Sequence, residues 1–87
     1  MHHVLIGQSS GATMDAVMDV YPRHKLVVDT FIERGSIIGI GRFGDGGNMA
    51  IFRTREDAEH FAAQDPFILD GLISSFTIRE WHDAMLT

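Results

Sequence analysis

The sequence contains no cysteine, and only two prolines and one tryptophan stand among its 87 residues. Without cysteine the chain has no disulfide framework, no zinc–thiolate site and no thiol nucleophile. Its apolar runs fall well short of the ~20 residues that a membrane-spanning helix needs. The length predicts a single domain over residues 1–87, which is too short for a doubly wound nucleotide-binding fold or a barrel enzyme.

Positive charge is also scarce, since 7 basic residues face 12 acidic ones and the net charge is −5. The basic residues are scattered along the chain and form no stripe that would follow a nucleic-acid backbone. The first residues lack the basic start and the long apolar segment of a secretory signal. We therefore expect a cytoplasmic protein that binds neither nucleic acid nor membrane.

Hydrophobic periodicity predicts four strands and two helices. Pro22 suits the first position of a helix, and a glycine directly after Arg34 is typical of a helix end. The segment 14–20 is ambiguous and fits one or two loose helical turns. The strands are predicted at residues 3–8, 36–43, 48–53 and 75–82, and the helices at residues 22–34 and 54–65.

The predicted order, β-α-β-β-α-β, is typical of an α+β ferredoxin-like sandwich, in which a four-stranded antiparallel sheet carries two helices on one face. The opposite face of such a sheet is uncovered, and here it carries further apolar side chains. A chain of this size has a small core, and an exposed apolar face commonly marks an interface. We therefore expect a homodimer or a higher homo-oligomer.

His24 and Asp65 are the candidate catalytic residues, because each is an ionisable group on an otherwise apolar helical stripe. Burying such a group costs free energy unless it is paired or lies in a solvated cleft. A carboxylate near an imidazole can orient it as a general base near neutral pH. In the alternative interpretation His24 is a half-buried residue at a helix start and Asp65 caps a turn.

Glycines in the strands, at Gly7, Gly39 and Gly41, indicate either space for a ligand or a bulge that eases packing. Residues 39–44 match the pattern G-x-G-x-x-G, but the pattern leads into a second strand and not into a helix, so nucleotide binding is not expected. The histidines lack the spacing of a metal site. We expect no metal and no organic cofactor.

Several segments together resemble the YCII-related domain family over essentially the whole chain. The most specific is Asp65-Pro66-Phe67 with a histidine at the start of an upstream helix, His24. The other segments are Val4-Leu5-Ile6-Gly7-Gln8, Pro22-Arg23, Arg34-Gly35-Ser36-Ile37-Ile38-Gly39-Ile40-Gly41, Asn48–Arg53, Thr54-Arg55-Glu56-Asp57-Ala58, and Gly71 with the strand ending at Trp81.

The resemblance implies a dimeric ferredoxin-like protein whose site is centred on His24 and Asp65. Related proteins include dehydrochlorinases that act on chlorinated lactones, and the muconolactone isomerases have a similar fold. We therefore expect a cofactor-free lactone isomerase or dehydrochlorinase that acts on a small organic substrate. The substrate would contact four further residues, namely Gly7, Gly41, Arg42 and Phe67. The alternative is a non-catalytic dimeric module that binds a small ligand or a partner.

Two features qualify the resemblance. The family often has an arginine three residues before the histidine, where Tyr21 stands here, so an anion-binding role has either moved to Arg42 or been lost. The predicted topology also places His24 and Asp65 at opposite ends of two roughly parallel helices. Either the first helix starts earlier, within residues 10–21, or the two side chains do not form a direct hydrogen bond.

Overall fold

The computed structural model describes residues 1–86 as four strands and three helices. The strands are β1 (His2–Ser9), β2 (Ile37–Arg42), β3 (Asn48–Phe52) and β4 (Ile73–Trp81). The helices are α1 (Met14–Glu33), α2 (Arg55–Ala62) and α3 (Pro66–Leu69). All six predicted elements are present, and the one-turn helix α3 is an addition to them.

The strands form one antiparallel sheet in the order β2-β3-β1-β4. In the centre of the sheet Leu5 lies opposite Ala50 on one side and Ile78 on the other. The helices α1 and α2 share one hydrophobic core with this face of the sheet. The predicted α+β ferredoxin-like sandwich is therefore confirmed.

Three phenylalanines fill the space between the helices and the sheet. Phe31 of α1, Phe52 of β3 and Phe61 of α2 are at most 1% exposed. Their ring centroids lie 5.2–6.2 Å apart, and Phe31 meets both of the other rings edge-on. Edge-to-face contacts add about 0.5–1.5 kcal/mol to the free energy that burial of the rings contributes. This cluster anchors the last turn of α1 and the end of α2 to the sheet.

Helix α1 begins at Met14, eight residues before the predicted start at Pro22. Thr13 caps it, because its side-chain hydroxyl accepts a hydrogen bond from the Ala16 backbone N–H. Pro22 lies inside the helix, so the prediction that it opens the helix was wrong. The helix runs through residues 14–20, the segment that was ambiguous in the sequence, and this places His24 near its middle.

The second helix also differs from its prediction. It ends at Ala62, and Pro66 occupies the first turn of the separate helix α3 instead of ending α2. Asp65 caps α3, because its Oδ1 atom accepts a hydrogen bond from the Phe67 backbone N–H at 3.1 Å. A proline fits equally well after a helix and at the start of the next one. The hydrogen bond from Phe67 distinguishes the two cases here.

The side of the sheet that faces away from the helices carries apolar residues at its centre. Val4, Ile6 and Met49 line a shallow cavity there, together with Arg79 and Trp81 near the end of β4. Trp81 is 39% exposed. Within residues 1–86 no helix is long and apolar enough to cross a lipid bilayer.

Candidate active site

The site is centred on a hydrogen bond between His24 of α1 and Asp65 at the start of α3. The His24 Nδ1 atom lies 2.7 Å from Asp65 Oδ1. Because an ionised carboxylate only accepts hydrogen bonds, Nδ1 carries the hydrogen and donates it. The two side chains are 8% and 1% exposed. The early start of α1 therefore brings together two residues that the predicted helix bounds would have separated.

Asp65 is held in place from two directions. Its Oδ1 atom accepts hydrogen bonds from the His24 ring and from the Phe67 backbone N–H. The carboxylate therefore links α1 to α3, and both the catalytic and the capping interpretations of Asp65 are compatible with its geometry. Its second oxygen, Oδ2, is buried and has no hydrogen-bond partner among residues 1–86.

Aromatic rings surround the His24 imidazole. Phe67 stacks on it, with 4.1 Å between the ring centroids and 19° between the planes. Phe61 meets it edge-on at 6.3 Å, and Tyr21, three residues earlier on α1, lies tilted at 6.0 Å. These rings and the Asp65 hydrogen bond restrict the imidazole to one orientation.

The imidazole opens into a cavity of about 390 Å³ between α1 and β2. With Nδ1 bonded to Asp65, the free nitrogen is Nε2. This atom is not buried and has no hydrogen-bond partner among residues 1–86. In a neutral imidazole that donates through Nδ1, Nε2 is the basic nitrogen. The arrangement can therefore accept a proton from, or return one to, a molecule in the cavity.

Two basic side chains, Lys25 and Arg42, line this cavity. Lys25 donates a hydrogen bond of 2.8 Å to Asp29, and this bond, reinforced by the charge of Asp29, raises the pKa of the ammonium group above its usual value. Arg42 has no carboxylate partner among residues 1–86. Arg42 is therefore the cation with an unneutralised charge at this cavity.

Most of the predicted site residues lie together. Gly41, Arg42 and Phe67 line the same cavity as His24. Gly7 does not line it. Gly7 lies opposite Asn48 in the sheet, and a Cβ atom at this position would collide with the Asn48 side chain. The lack of a side chain at Gly7 therefore makes room for Asn48 and leaves no direct surface for a ligand.

Sequence reasoning did not select Tyr21, Met18 or Asn48 as site residues, and all three line the cavity. The spacing of Tyr21 from His24, one helical turn, would have placed the two on one face. For Asn48 no such signal exists, because its role depends on the pairing of β1 with β3. Its Oδ1 atom is buried without a partner among residues 1–86.

No group of three or more potential metal ligands occurs among the residues that the structure describes. The His24–Asp65 pair offers two ligand side chains, and Nδ1 is occupied by the hydrogen bond. The chemistry that these residues themselves can provide is acid–base chemistry at Nε2 and electrostatic attraction of an anion by Arg42.

The fold and the cavity define a class: an α+β ferredoxin-like protein with a cavity of small-molecule size beside its first helix. No protein-family model and no curated protein matches the sequence. A similar solved structure is the 5-chloro-2-hydroxyhydroquinone dehydrochlorinase from Burkholderia phenoliruptrix AC1100, in complex with 2,5-dihydroxybenzoquinone. The TM-score is 0.76 over 97% of this chain and 96% of that chain, at 17% sequence identity. At this identity the likeness shows the fold alone.

Proposed function

We propose that the protein is a cofactor-free enzyme related to the YCII-like proteins, which uses His24 as a general acid/base on a small organic substrate. The observation that carries the proposal is the buried hydrogen bond of 2.7 Å between His24 Nδ1 and Asp65 Oδ1, with the His24 ring facing a cavity. General acid–base catalysis by a positioned side chain contributes typically about 10²–10⁴-fold to a rate.

In the proposed mechanism Nε2 of His24 removes a proton from a carbon beside a carbonyl group. The positive charge that develops on the imidazole is stabilised by the Asp65 carboxylate on Nδ1. In a lactone isomerisation the same proton is then returned at another carbon. In a dehydrochlorination the electron pair of the broken C–H bond forms a C=C bond, the C–Cl bond breaks and its electron pair leaves with chloride, and the imidazolium proton passes to water, so that HCl is lost in total. Arg42 attracts a negatively charged group of the substrate. The similar dehydrochlorinase supports the second of these reaction types.

The test is turnover by the purified protein, with chlorinated hydroquinones and small unsaturated lactones as substrates. Chloride release and lactone absorbance are the readouts. We expect His24→Ala to lower kcat by about 10²-fold or more, because the general base is lost. Asp65→Asn should lower kcat less, because the His24 side chain and its Nε2 atom are still present at the cavity.

His60→Ala is the matched control, since the His60 side chain on α2 is 55% exposed and lies outside the cavity. This variant should retain the wild-type rate. Full turnover of an identified substrate by His24→Ala would contradict the proposal. The alternative function, a non-catalytic small-ligand-binding module, is favoured by the stacking of Phe67 on His24, and it would appear as ligand binding that never leads to product.

We further propose that the protein assembles as a homodimer through the face of the sheet that the helices leave uncovered. Ile6 and Met49, both half-buried, surround the buried Val4 and give this face an apolar centre next to the exposed Trp81. Gly39 and Gly41 alternate with Ile40 and Arg42 along β2 and share the face that carries Ile51 and Met49, so β2 adds no side chain to this face at those two positions. Exposed apolar patches of this kind commonly mark an interface, and symmetric pairing of identical chains is the commonest form of oligomer.

A further inference from the structure

The cavity at His24 continues into a second cavity of about 270 Å³. The second cavity lies beneath the turn that joins β2 to β3, next to the start of α1. The two cavities have five residues of their walls in common: Met14, Val17, Arg42, Asn48 and Phe67. A ligand that reaches Arg42 from the His24 side can therefore extend past it.

The wall of the second cavity is apolar apart from Arg42, Asn48 and Ser9, and Arg42 is its one charged residue within the described part of the chain. Leu72, Ile73 and Phe67 are among the apolar residues that line it. The absence of carboxylates and of further cations means that a charged group gains nothing by moving deeper than Arg42. The space beyond Arg42 therefore suits an uncharged apolar group.

Glycines shape the β2–β3 turn that lines this second cavity. Gly46 and Gly47 have φ values of 108° and 82°, which residues with a side chain rarely adopt. A Cβ atom at Gly47 would also collide with the carbonyl oxygen of Gly7, so the turn lies close against β1. At Gly44, which also lines the cavity, a Cβ atom would meet open space.

The rim of the two cavities carries an exposed apolar stripe on α1. Met14, Met18 and Tyr21 follow one another at helical spacing and are 53%, 57% and 43% exposed. Met14 lines both cavities, and Met18 and Tyr21 line the first. Methionine side chains are flexible and adapt to ligands of different shape. The rim therefore offers apolar surface on which the outer side of a bound ligand can pack.

We propose that the natural ligand is an amphipathic organic anion with an apolar arm. Its reacting part lies at His24, its negative group meets Arg42, and the arm fills the second cavity beneath the glycine turn. This inference rests on the proposed function, because it takes the His24 cavity to be the reaction site. It adds a substrate class, since a compact ring without an arm would leave the second cavity empty.

The test compares the binding of three probes to the purified full chain by isothermal titration calorimetry. The probes are benzoate, 2-butoxybenzoate and the neutral 2-butoxybenzamide. The butoxy group leaves the ring beside the carboxylate, so it can pass Arg42 while the ring stays near His24. We expect 2-butoxybenzoate to bind about tenfold or more tightly than benzoate, because the arm buries apolar surface.

Two variants, each of which replaces an alanine by leucine, form a matched pair for this test. Ala12→Leu places a leucine in the wall of the second cavity and should abolish the advantage that the butoxy arm gives. Ala63→Leu adds the same side chain at the exposed end of α2, away from both cavities, and should leave that advantage intact. Gly44→Leu is a second variant that fills the cavity, for the case that Ala12→Leu does not fold.

Arg42→Gln should weaken the binding of 2-butoxybenzoate and leave 2-butoxybenzamide unaffected. Equal affinities of wild-type protein for benzoate and 2-butoxybenzoate, or an arm advantage that survives in both cavity-filling variants, would overturn the proposal. Because binding is measured without turnover, a positive result stands even if His24→Ala proves fully active. Conversely, loss of turnover in His24→Ala with no arm advantage would refute the ligand class and leave the acid–base function intact.

Discussion

At the scale of single residues, the central feature is that one carboxylate oxygen serves two partners. Asp65 Oδ1 accepts hydrogen bonds from the His24 ring and from the first turn of α3. The residue that orients the imidazole is thus also the residue that starts the helix carrying Phe67. The position of the stacked ring and the orientation of the imidazole therefore depend on the same side chain.

We predict that Asp65→Ala destabilises the protein by more than a typical surface substitution does. It leaves the buried Nδ1–H of His24 without an acceptor, which costs about 1–3 kcal/mol. It also removes the cap of α3, which typically costs about 1 kcal/mol. Asp65→Asn retains an acceptor oxygen for the cap and should be less destabilising. Urea denaturation measures the free energies of unfolding.

Asp70→Ala is the control, because it removes a carboxylate from the other end of α3. Asp70 Oδ2 accepts a hydrogen bond of 2.6 Å from Arg23, and both side chains are well exposed. An exposed ion pair typically contributes at most about 1 kcal/mol. If Asp65→Ala and Asp70→Ala lowered the free energy of unfolding equally, the prediction that Asp65 stabilises both the His24 ring and the start of α3 would be contradicted.

The sequence was sufficient to select His24 and Asp65, because an ionisable residue at a helical apolar position is unusual on physical grounds. The same argument does not select Tyr21 or Asn48. An aromatic residue on a helix is usually part of a core, and an asparagine at the start of a strand is usually part of a turn. Tyr21 and Asn48 reach the cavity because of the length of α1 and the pairing of the strands, and a short stretch of sequence does not reveal either.

At the scale of elements, the strand pattern was the more predictable part. The observed strands differ from the predicted ones by at most two residues at either end. The helix starts were predicted less well because proline favours a first helical turn. Pro22 was predicted to start a helix but lies within α1. Pro66 was predicted to end a helix but lies in the first turn of α3, where the preference of proline applies. Only the caps at Thr13 and Asp65 distinguish these cases.

A second histidine–aspartate contact joins the segment after β4 to the first strand. His2 Nδ1 donates a hydrogen bond to Asp83 Oδ1, and both side chains are nearly inaccessible to solvent, at 6% and 4%. Asp83 Oδ2 also accepts a hydrogen bond of 2.7 Å from the Leu86 backbone N–H. The hydrogen bond from His2, and more weakly that from Leu86, lowers the pKa of Asp83 below its usual value. The terminal segment is thereby attached to β1.

We predict that this attachment stabilises the fold in a pH-dependent way. Because the pKa of Asp83 is lower in the folded than in the unfolded chain, its contribution is fully present above the unfolded value of about 3.9. The contribution is lost as the pH falls through the lowered pKa of the folded state. Asp83→Asn should therefore unfold at lower urea concentration than wild type near neutral pH, and the difference should vanish in strong acid.

The measurement is the urea midpoint as a function of pH, with Asp45→Asn as the control. Asp45 is exposed in the turn between β2 and β3, so this variant should follow wild type at every pH. A difference between Asp83→Asn and wild type that persisted undiminished in strong acid would show that the Asp83 carboxylate is not the source of the effect.

At the scale of the whole molecule, we expect a dimer because of the number of layers that pack against the sheet. The helices cover one face of the sheet, and residues 1–86 contain no further helix or strand for the other face. This followed from the order β-α-β-β-α-β alone, because that order has few compact solutions. Which residues form the uncovered centre depended on the register, which pairs Val4 with Ile51 and Ile6 with Met49.

We predict that the protein in solution has twice the 9.7 kDa mass of the chain, and that Ile6→Lys reduces it to the monomer. Ile6 lines the uncovered face, so a lysine there would place an unpaired charge in the interface. In the monomer a lysine at this half-buried position can extend its ammonium group into water, so the fold should survive. Light scattering after size-exclusion chromatography measures the mass, and circular dichroism verifies the fold.

Ile32→Lys is the matched control, because Ile32 lies on α1 and is 55% exposed. The same substitution there should leave the dimer intact. A monomeric wild-type protein across micromolar concentrations would contradict the prediction, as would a dimer that survives in Ile6→Lys. Since His24 and its cavity lie on the helix-covered side, a monomeric Ile6→Lys variant that still binds the ligand would show that each chain carries a complete site. Loss of binding in that variant would instead mean that the dimer supports the geometry of the site through the sheet.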